Sequence, residues 1–363
     1  MLRRWLQVSL LLSVFIFTGA GCISFSGGTA AIGPMGVFRS TDKGETWQPA
    51  DTVPTAQGMQ SLAGVQIYKM FSDPNSANTW YLATRGQGLF YSIDNTASWQ
   101  LVPALAGRFI YGLAVDPKYT CTVFATDGTN ILKTSDCNRS WNVVYSEQRG
   151  QNIVALAIDY GNRAHVFAAL GNGDLLESTD DGTSWRTVKN FGVTLRDLVA
   201  DPLIPGRLYA VSANDGLVRS DDGGVTWKDI SQGIRNFNDG LYFYRLVLNP
   251  GRKNSLFWLC KYGVLHSEDG GATWSEIKLL SPPGSVNVYT FAINQANPKE
   301  MYYTGTVLGD NNTSRTTFYK SVDGGVNWIT KKMPTTAVPV SLIVHPTNPS
   351  LLFMAFTALP EIK

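Results

Sequence analysis

The apolar positions of this chain come in short runs rather than long stripes. Seven of them are TWYLATR, TVFATD, HVFAAL, RLYAVS, LFWLC, MYYTGT and LLFMAF. Each is rich in aromatic and β-branched residues and too short for a helix, so each reads as a buried strand. Each is preceded by a second apolar run that ends in Asp-Pro or a variant of it: YKMFSDP (68–74), YGLAVDP (111–117), VALAIDY (154–160), RDLVADP (196–202), YRLVLNP (244–250), YTFAINQ (289–295) and VSLIVHP (340–346). After six of the pairs a turn leads to a third run such as GLF, NIL, DLL, GLV, GVL or TFY.

The third run leads straight into an octet that recurs seven times: STDKGETW (40–47), SIDNTASW (92–99), TSDCNRSW (134–141), STDDGTSW (178–185), SDDGGVTW (220–227), SEDGGATW (267–274) and SVDGGVNW (321–328). Ser or Thr is always first. The third position is Asp42, Asp94, Asp136, Asp180, Asp222, Asp269 or Asp323, and the eighth is Trp47, Trp99, Trp141, Trp185, Trp227, Trp274 or Trp328. Gly holds the fifth position in five copies, and Thr96 and Asn138 replace it in the other two. Asp can bond its own backbone two residues on and Gly supplies positive φ, so the octet is a turn. The Trp is expected to pack back into its own repeat. One more short strand, such as KDIS or SEIK, follows it.

Each repeat is therefore four antiparallel strands, A to D, with the octet as the C–D turn. Such a unit cannot bury both faces alone, and its spacing, roughly 42–54 residues from octet to octet, matches radially stacked blades. The first octet has no A–B pair before it, and the last A–B pair, VSLIVHPTNPSLLFMAFT (340–357), has no octet after it. Joined, they complete one blade. The prediction is an all-β, single seven-bladed propeller over 36–363, closed by the C-terminal A–B strands pairing with the N-terminal C–D strands, which removes an open edge.

The repeat resembles the Asp-box, or BNR, repeat of sialidases, xyloglucanase-type glycoside hydrolases, sortilin-type receptors and photosystem II assembly factors. The resemblance covers nearly all of 36–363 and implies a structural hairpin at the blade periphery rather than a catalytic set. Sialidases of this type bring an arginine triad, a Tyr nucleophile and an early Arg-Ile-Pro motif on six blades, and the chain has no such motif. Xyloglucanase-like enzymes place their acids between two propellers, where this sequence encodes one. Sortilin-type receptors use ten blades and a cysteine-rich tail. The assembly factors are similar in layout, with a signal, often a lipobox Cys, and one seven-bladed ring, but the arginines here are scattered.

The N-terminus changes the picture of where the propeller works. Residues 1–21 carry Arg3 and Arg4, an apolar stretch from Trp5 to Phe17, and then small residues. This reads as an export signal, with a core too short for a comfortable membrane span. Followed by Cys22, it resembles a bacterial lipobox with Cys22 as the lipidated residue, although Gly19 stands where an aliphatic is usual. An ordinary signal peptide cut near Ala20 and an uncleaved anchor are the alternatives. Residues 22–35 are small and uncharged and read as a flexible tether. The expectation is an exported, membrane-anchored lipoprotein on the periplasmic or cell-surface side.

The chain's 363 residues carry a net charge of +2, so no nucleic-acid partner is expected. His165, His266 and His345 are isolated, with no metal cluster, phosphate loop or cofactor motif in the sequence. Cys121 at the start of a strand B and Cys137 in the following C–D turn meet at the octet end and are expected to form a disulfide. Cys260, inside LFWLC, is expected to be buried.

In an up-and-down blade the A–B and C–D turns share one end, and the D–A and B–C connections share the other. The first end is uniform here and the second varies, as a binding surface would. Aligning the A strands places Tyr68, Tyr111, Val154, Arg196, Tyr244, Tyr289 and Val340 around the channel mouth at the variable end. The next row inward is Lys69, Gly112, Ala155, Asp197, Arg245, Thr290 and Ser341. Tyr68, Lys69, Tyr111, Arg196, Tyr244, Arg245 and Tyr289 form the candidate binding mouth, suited to a sugar or a peptide. Loops 48–64, 233–243 and 308–317 add material at this end, including Arg235, Phe237, Asn238 and Arg315. Glycoside hydrolysis needs two carboxylates about 5–9.5 Å apart, and the weak candidates are Asp197, Asp239 and Asp310. The reading is a monomeric protein- or glycan-binding scaffold acting through the D–A/B–C face and held to the membrane by its lipid. It leans away from an enzyme, with a xyloglucanase- or sialidase-like glycoside hydrolase using the same mouth as the alternative.

Overall fold

The computed structural model describes residues 33–309 and 313–358. The expected signal, Cys22 and most of the tether lie outside them. Of the tether, Gly33 to Met35 are described, and Met35 donates its backbone N–H to Ala63 O at 2.8 Å.

Seven four-stranded antiparallel sheets make up the fold. Blade I spans 67–101, blade II 112–146, blade III 153–190, blade IV 195–229, blade V 243–277 and blade VI 287–331. Blade VII is composite: strand Leu352–Thr357 pairs with Val338–Val344 on one side and with Gly36–Ser40 on the other. The ring is thus closed by its two ends, as expected.

The second strand of each blade is buried on both faces along its centre, because a neighbouring blade covers each. This is why VFAAL, LYAVS and LFWLC read as continuous apolar runs instead of alternating ones. The fourth strand is the outer edge. It is short and polar, as in Lys228–Asp229 and the fully exposed Arg186–Asn190, which discourages edge pairing with other chains. Seven apolar clusters fill the seven gaps between adjacent blades. One joins Val37 and Phe353 of blade VII to Met70 and Trp80 of blade I across the closure.

The A–B turns share one device. Asp73, Asp116, Asp159, Asp201, Asn249 and Asn294 each accept a backbone N–H two residues on through the side chain. His345 does the same through Nδ1, accepting from the Thr347 and Asn348 N–H groups. The Asp-Pro run and its variants are therefore turn chemistry.

The octets build a second device. The first-position hydroxyl donates to Asp Oδ1 (Ser220 to Asp222, 2.8 Å) and accepts the fifth residue's N–H (Gly224, 2.8 Å). The same Asp takes the backbone N–H and the side chain of the seventh residue. That residue is Thr46, Ser98, Ser140, Ser184, Thr226, Thr273 or Asn327, a conserved feature of the seven copies that the sequence pattern had not marked. Hydrogen bonds led by Ser140 and Ser184 hold Asp136 and Asp180 down at about 2. The fifth residue needs positive φ, and where Gly is missing Thr96 and Asn138 adopt φ 67° and 70°.

One expectation is corrected here. The octet Trp does not pack only into its own blade but reaches back to the preceding one. Trp99, Trp274 and Trp328 donate Nε1–H to Ala50, Ile230 and Lys278 carbonyls of the blade before. Trp227 meets Phe191 edge-on, and Trp47 meets Phe318. The reason is geometric: the blade's own faces are already filled by its B and C side chains, whereas the wedge between blades widens outward and takes an indole. Each octet is thus a clasp between neighbours.

Cys121 and Cys137 are joined as a disulfide at the octet end of blade II, and Cys260 is a free, buried thiol.

Candidate functional site

Adjacent residues of a regular strand point to opposite faces, so two consecutive residues of one strand A cannot both face the channel without a special feature. Six of the seven inner strands have one. Register shifts leave an extra, unpaired residue in each: Tyr68, Val154, Arg196, Tyr244, Tyr289 and Val340. A β-bulge bends the strand and re-aims the side chains beside it. In blade II, Tyr111 precedes the strand and donates its N–H to Thr126 O. The bulges bring both rows to one end of the channel.

A cavity of about 510 Å³ lies there, lined by all seven of Tyr68, Lys69, Tyr111, Arg196, Tyr244, Arg245 and Tyr289, together with Asp197. Arg85, Asn214 and Tyr242 line it as well, and sequence alignment of the A strands had not found them. Arg85 follows strand B (Ser76–Thr84), which runs toward the mouth, so a search of B-strand ends would have found it. Asn214 and Tyr242 sit on turns, where no periodicity marks them.

The aromatic side chains form two walls. On blades I and II, Tyr68 meets Phe109 edge-on at 5.1 Å, and Phe109 stacks on Tyr111 at 4.1 Å. On blades V and VI, Tyr244 meets Tyr242 at 5.7 Å and Tyr289 at 5.1 Å, and its hydroxyl donates to Asn287 Oδ1. In blade order these walls stand on opposite sides of the ring.

Charged groups cross the floor. Lys69 of blade I reaches Asp197 of blade IV, Nζ to Oδ2 at 3.0 Å, so this pair spans the channel. Arg245 donates to Val340 O of blade VII. Burial in the ring lowers the Arg245 guanidinium, against the pull of Asp197 and Tyr68. Burial and the Asp197 charge raise the Tyr68 phenol, while Arg85, Arg245 and Arg196 each oppose that rise. Arg85 lies over the Tyr68 ring, 5.1 Å from its centre, and Arg196 and Arg245 line the same cavity. Asp197 is the single carboxylate among the described residues lining this cavity.

The remaining candidates are dispersed. Asp239 pairs with Lys261 at 2.9 Å on the loop beside Tyr244, whose phenol is raised by burial, then by Tyr289, Tyr242 and Cys260, and last by Asp239. The 233–243 loop is not free. Ile234, Phe237 and Leu241 pack into the gap between blades IV and V, Trp258 donates to Gly240 O, and Arg235 pairs with Asp229. The 48–64 segment is not a plain loop either: Thr52–Thr55 and Gly58–Ser61 form a hairpin, and the Thr52 carbonyl accepts from Trp99 N–H, outside the mouth. Its Val53 is buried, which pays for the ordering. Arg315 pairs in register with Val307 on an extended ribbon and does not line the cavity. Asp310 lies outside the described residues. Among those described, no group of His, Cys, Asp and Glu is arranged to hold a metal ion.

A family model described as the DUF6242 beta propeller domain matches residues 112–241. Xyloglucanase Xgh74A of Acetivibrio thermocellus is 25% identical over 240 residues, which cover 53% of this chain and 28% of that enzyme. The GH74 xyloglucanase structure from Xanthomonas campestris superposes with a TM-score of 0.65 at 16% identity, over 86% of this chain and 52% of that one. A structure titled YCF48 bound to D1 peptide superposes with a TM-score of 0.56 at 17% identity, over 82% of this chain and 94% of that one. The chain thus spans less than a third of the curated xyloglucanase it matches. The leaning away from an enzyme is corrected by these matches: over about half its length the chain is similar in sequence to proteins named as xyloglucanases. The chain is a seven-bladed propeller related both to GH74 xyloglucanases and to the Ycf48 assembly propeller.

Proposed function

We propose that this protein is a glycan-active propeller that takes a polysaccharide segment into the D–A/B–C mouth and hydrolyses its glycosidic bonds. The observation that carries the reading is the mouth itself: two aromatic walls facing across a cavity that holds Asp197, in a chain whose relatives include xyloglucanases. Flat aromatic faces suit sugar rings, and buried polar groups between them fix orientation. In this reading Asp197, ringed by cations, acts as base or nucleophile. Asp197 is the single carboxylate among the described lining residues, so Asp239, paired with Lys261 on the loop beside Tyr244, would have to leave that pair and enter the mouth to supply the second. The wild-type protein should release reducing ends from at least one member of a panel of β-linked plant and bacterial polysaccharides, and Asp197→Asn should lower the rate about a hundredfold or more. No release from any polymer by the wild type refutes hydrolysis.

A second reading, a binding or assembly scaffold using the same mouth, is favoured by one observation: Asp197 is already engaged by Lys69. Retention of polysaccharide or peptide by the wild type, with no bond cleavage, would decide for it. In both readings the octets belong to the Asp-box class and serve as inert clasps. The protein is exported and anchored as a monomer through a lipid on Cys22. Labelling with an alkyne fatty acid, lost in Cys22→Ser, tests the anchor.

A further inference from the structure

The charge in the mouth is out of balance. Most arginines of the blades carry a carboxylate partner, as Arg163 does with Asp116 and Arg207 with Asp221. Arg85, Arg196 and Arg245 carry none among the described residues, yet all three line one cavity and all three act on Tyr68. The cavity's single carboxylate, Asp197, is taken by Lys69. The Nε of Arg85 and that of Arg245 are buried without a hydrogen-bond partner. Arg85 lies over Tyr68 and Phe109, its Cζ 5.1 and 5.8 Å from the ring centres. Gathering unpaired cations costs free energy through mutual repulsion and unmade hydrogen bonds. A fork of planar donors is matched by a carboxylate, which it binds in two parallel bonds.

We propose that the ligand of the mouth is an acidic glycan, a segment bearing uronate carboxylates, with the sugar rings on the aromatic walls and a carboxylate on Arg85, Arg196 and Arg245. This rests on the glycan reading above and narrows it from neutral polymers to charged ones. The inference goes to a sugar acid and not to a peptide terminus because two aromatic walls stand apart across about 510 Å³, room for successive rings rather than for one chain end.

The test is calorimetric titration of the full chain with tetragalacturonate, tetramannuronate and a glucuronate-bearing xylotetraose, each beside its carboxyl-reduced form. At least one acid form should bind about tenfold or more tightly than its reduced twin, and its affinity should fall as NaCl rises from about 50 to about 300 mM. Arg196 is exposed and has no side-chain hydrogen bond or ion pair among the described residues, so Arg196→Gln should fold normally and remove about tenfold of the affinity for the acid form alone. Arg315→Gln, outside the cavity, should not change it. Equal or better binding of the reduced sugars overturns the charge inference and leaves the glycan reading standing. Failure of all six sugars, with capture of a peptide ending in a free carboxylate instead, overturns both. Failure of every ligand also overturns the inference.

Discussion

Removing Asp197 should harm the fold more than removing Lys69, although each change breaks the same ion pair. The side chains are 27% and 15% exposed for Lys69 and Asp197, and Nζ sits 3.3 and 3.0 Å from the two carboxylate oxygens. Two unit charges at about 4 Å attract by about 4 kcal/mol at an effective dielectric of about 20, before the cost of desolvation. Breaking a fully buried pair costs about 3–5 kcal/mol, and the remaining exposure reduces this to about 2 kcal/mol for Lys69→Met. Asp197 would then keep the field of Arg245 and the Leu198 N–H. Asp197→Asn instead leaves Lys69, Arg85, Arg196 and Arg245 with no acid among the described lining residues, so it should cost about 3 kcal/mol. Urea unfolding followed by tryptophan fluorescence reads both values, and the double variant gives the coupling. The reasoning predicts a coupling of about 1–2 kcal/mol and a penalty for Asp197→Asn that shrinks in high salt. It is refuted if Lys69→Met proves the more damaging change, or if the two costs simply add.

Acid should loosen the clasps. Their carboxylates are lowered, to about 2 in Asp136, Asp180 and Asp323, so the folded form binds protons less tightly than the unfolded chain, whose carboxylates titrate near 3.8. Their stabilisation is complete above that value and is lost as pH falls from about 4 to about 2. Circular dichroism across that range should find the transition there, and complete unfolding by pH 5 would contradict the reading. Trp99 is fully buried at the closure between blades VII and I. Trp99→Ala should therefore cost about 3–5 kcal/mol in urea unfolding, and a loss below about 1 kcal/mol would mean the indole does not clasp the two blades.

The ring was legible because its devices repeat. Seven octets and seven Asp-Pro variants mark every blade, and the unequal ends of the chain betray the composite one. The mouth was legible only in part. Tyr68, Arg196, Tyr244 and Tyr289 share a place upstream of a marked turn, so alignment located them. The bulges that let each stand beside an inward-facing neighbour have no residue signature, because they follow from how strand A pairs. The backward reach of the tryptophans was hidden for a similar reason: it depends on the width of the wedge between blades, a property of two repeats and not of one. The hairpin at 52–61 escaped because its alternation, TVPT to GMQS, covers only one turn of pattern.

The central claim is that the bulged rows form the working face and the octets do not. Hydrogen exchange with and without the tightest-binding oligosaccharide of the panels above tests it directly. The account predicts slowed exchange in segments containing Tyr68, Tyr111, Arg196 and Tyr244, with the seven octets unchanged. Protection centred on the octet end of the ring, with the mouth unaffected, would contradict it.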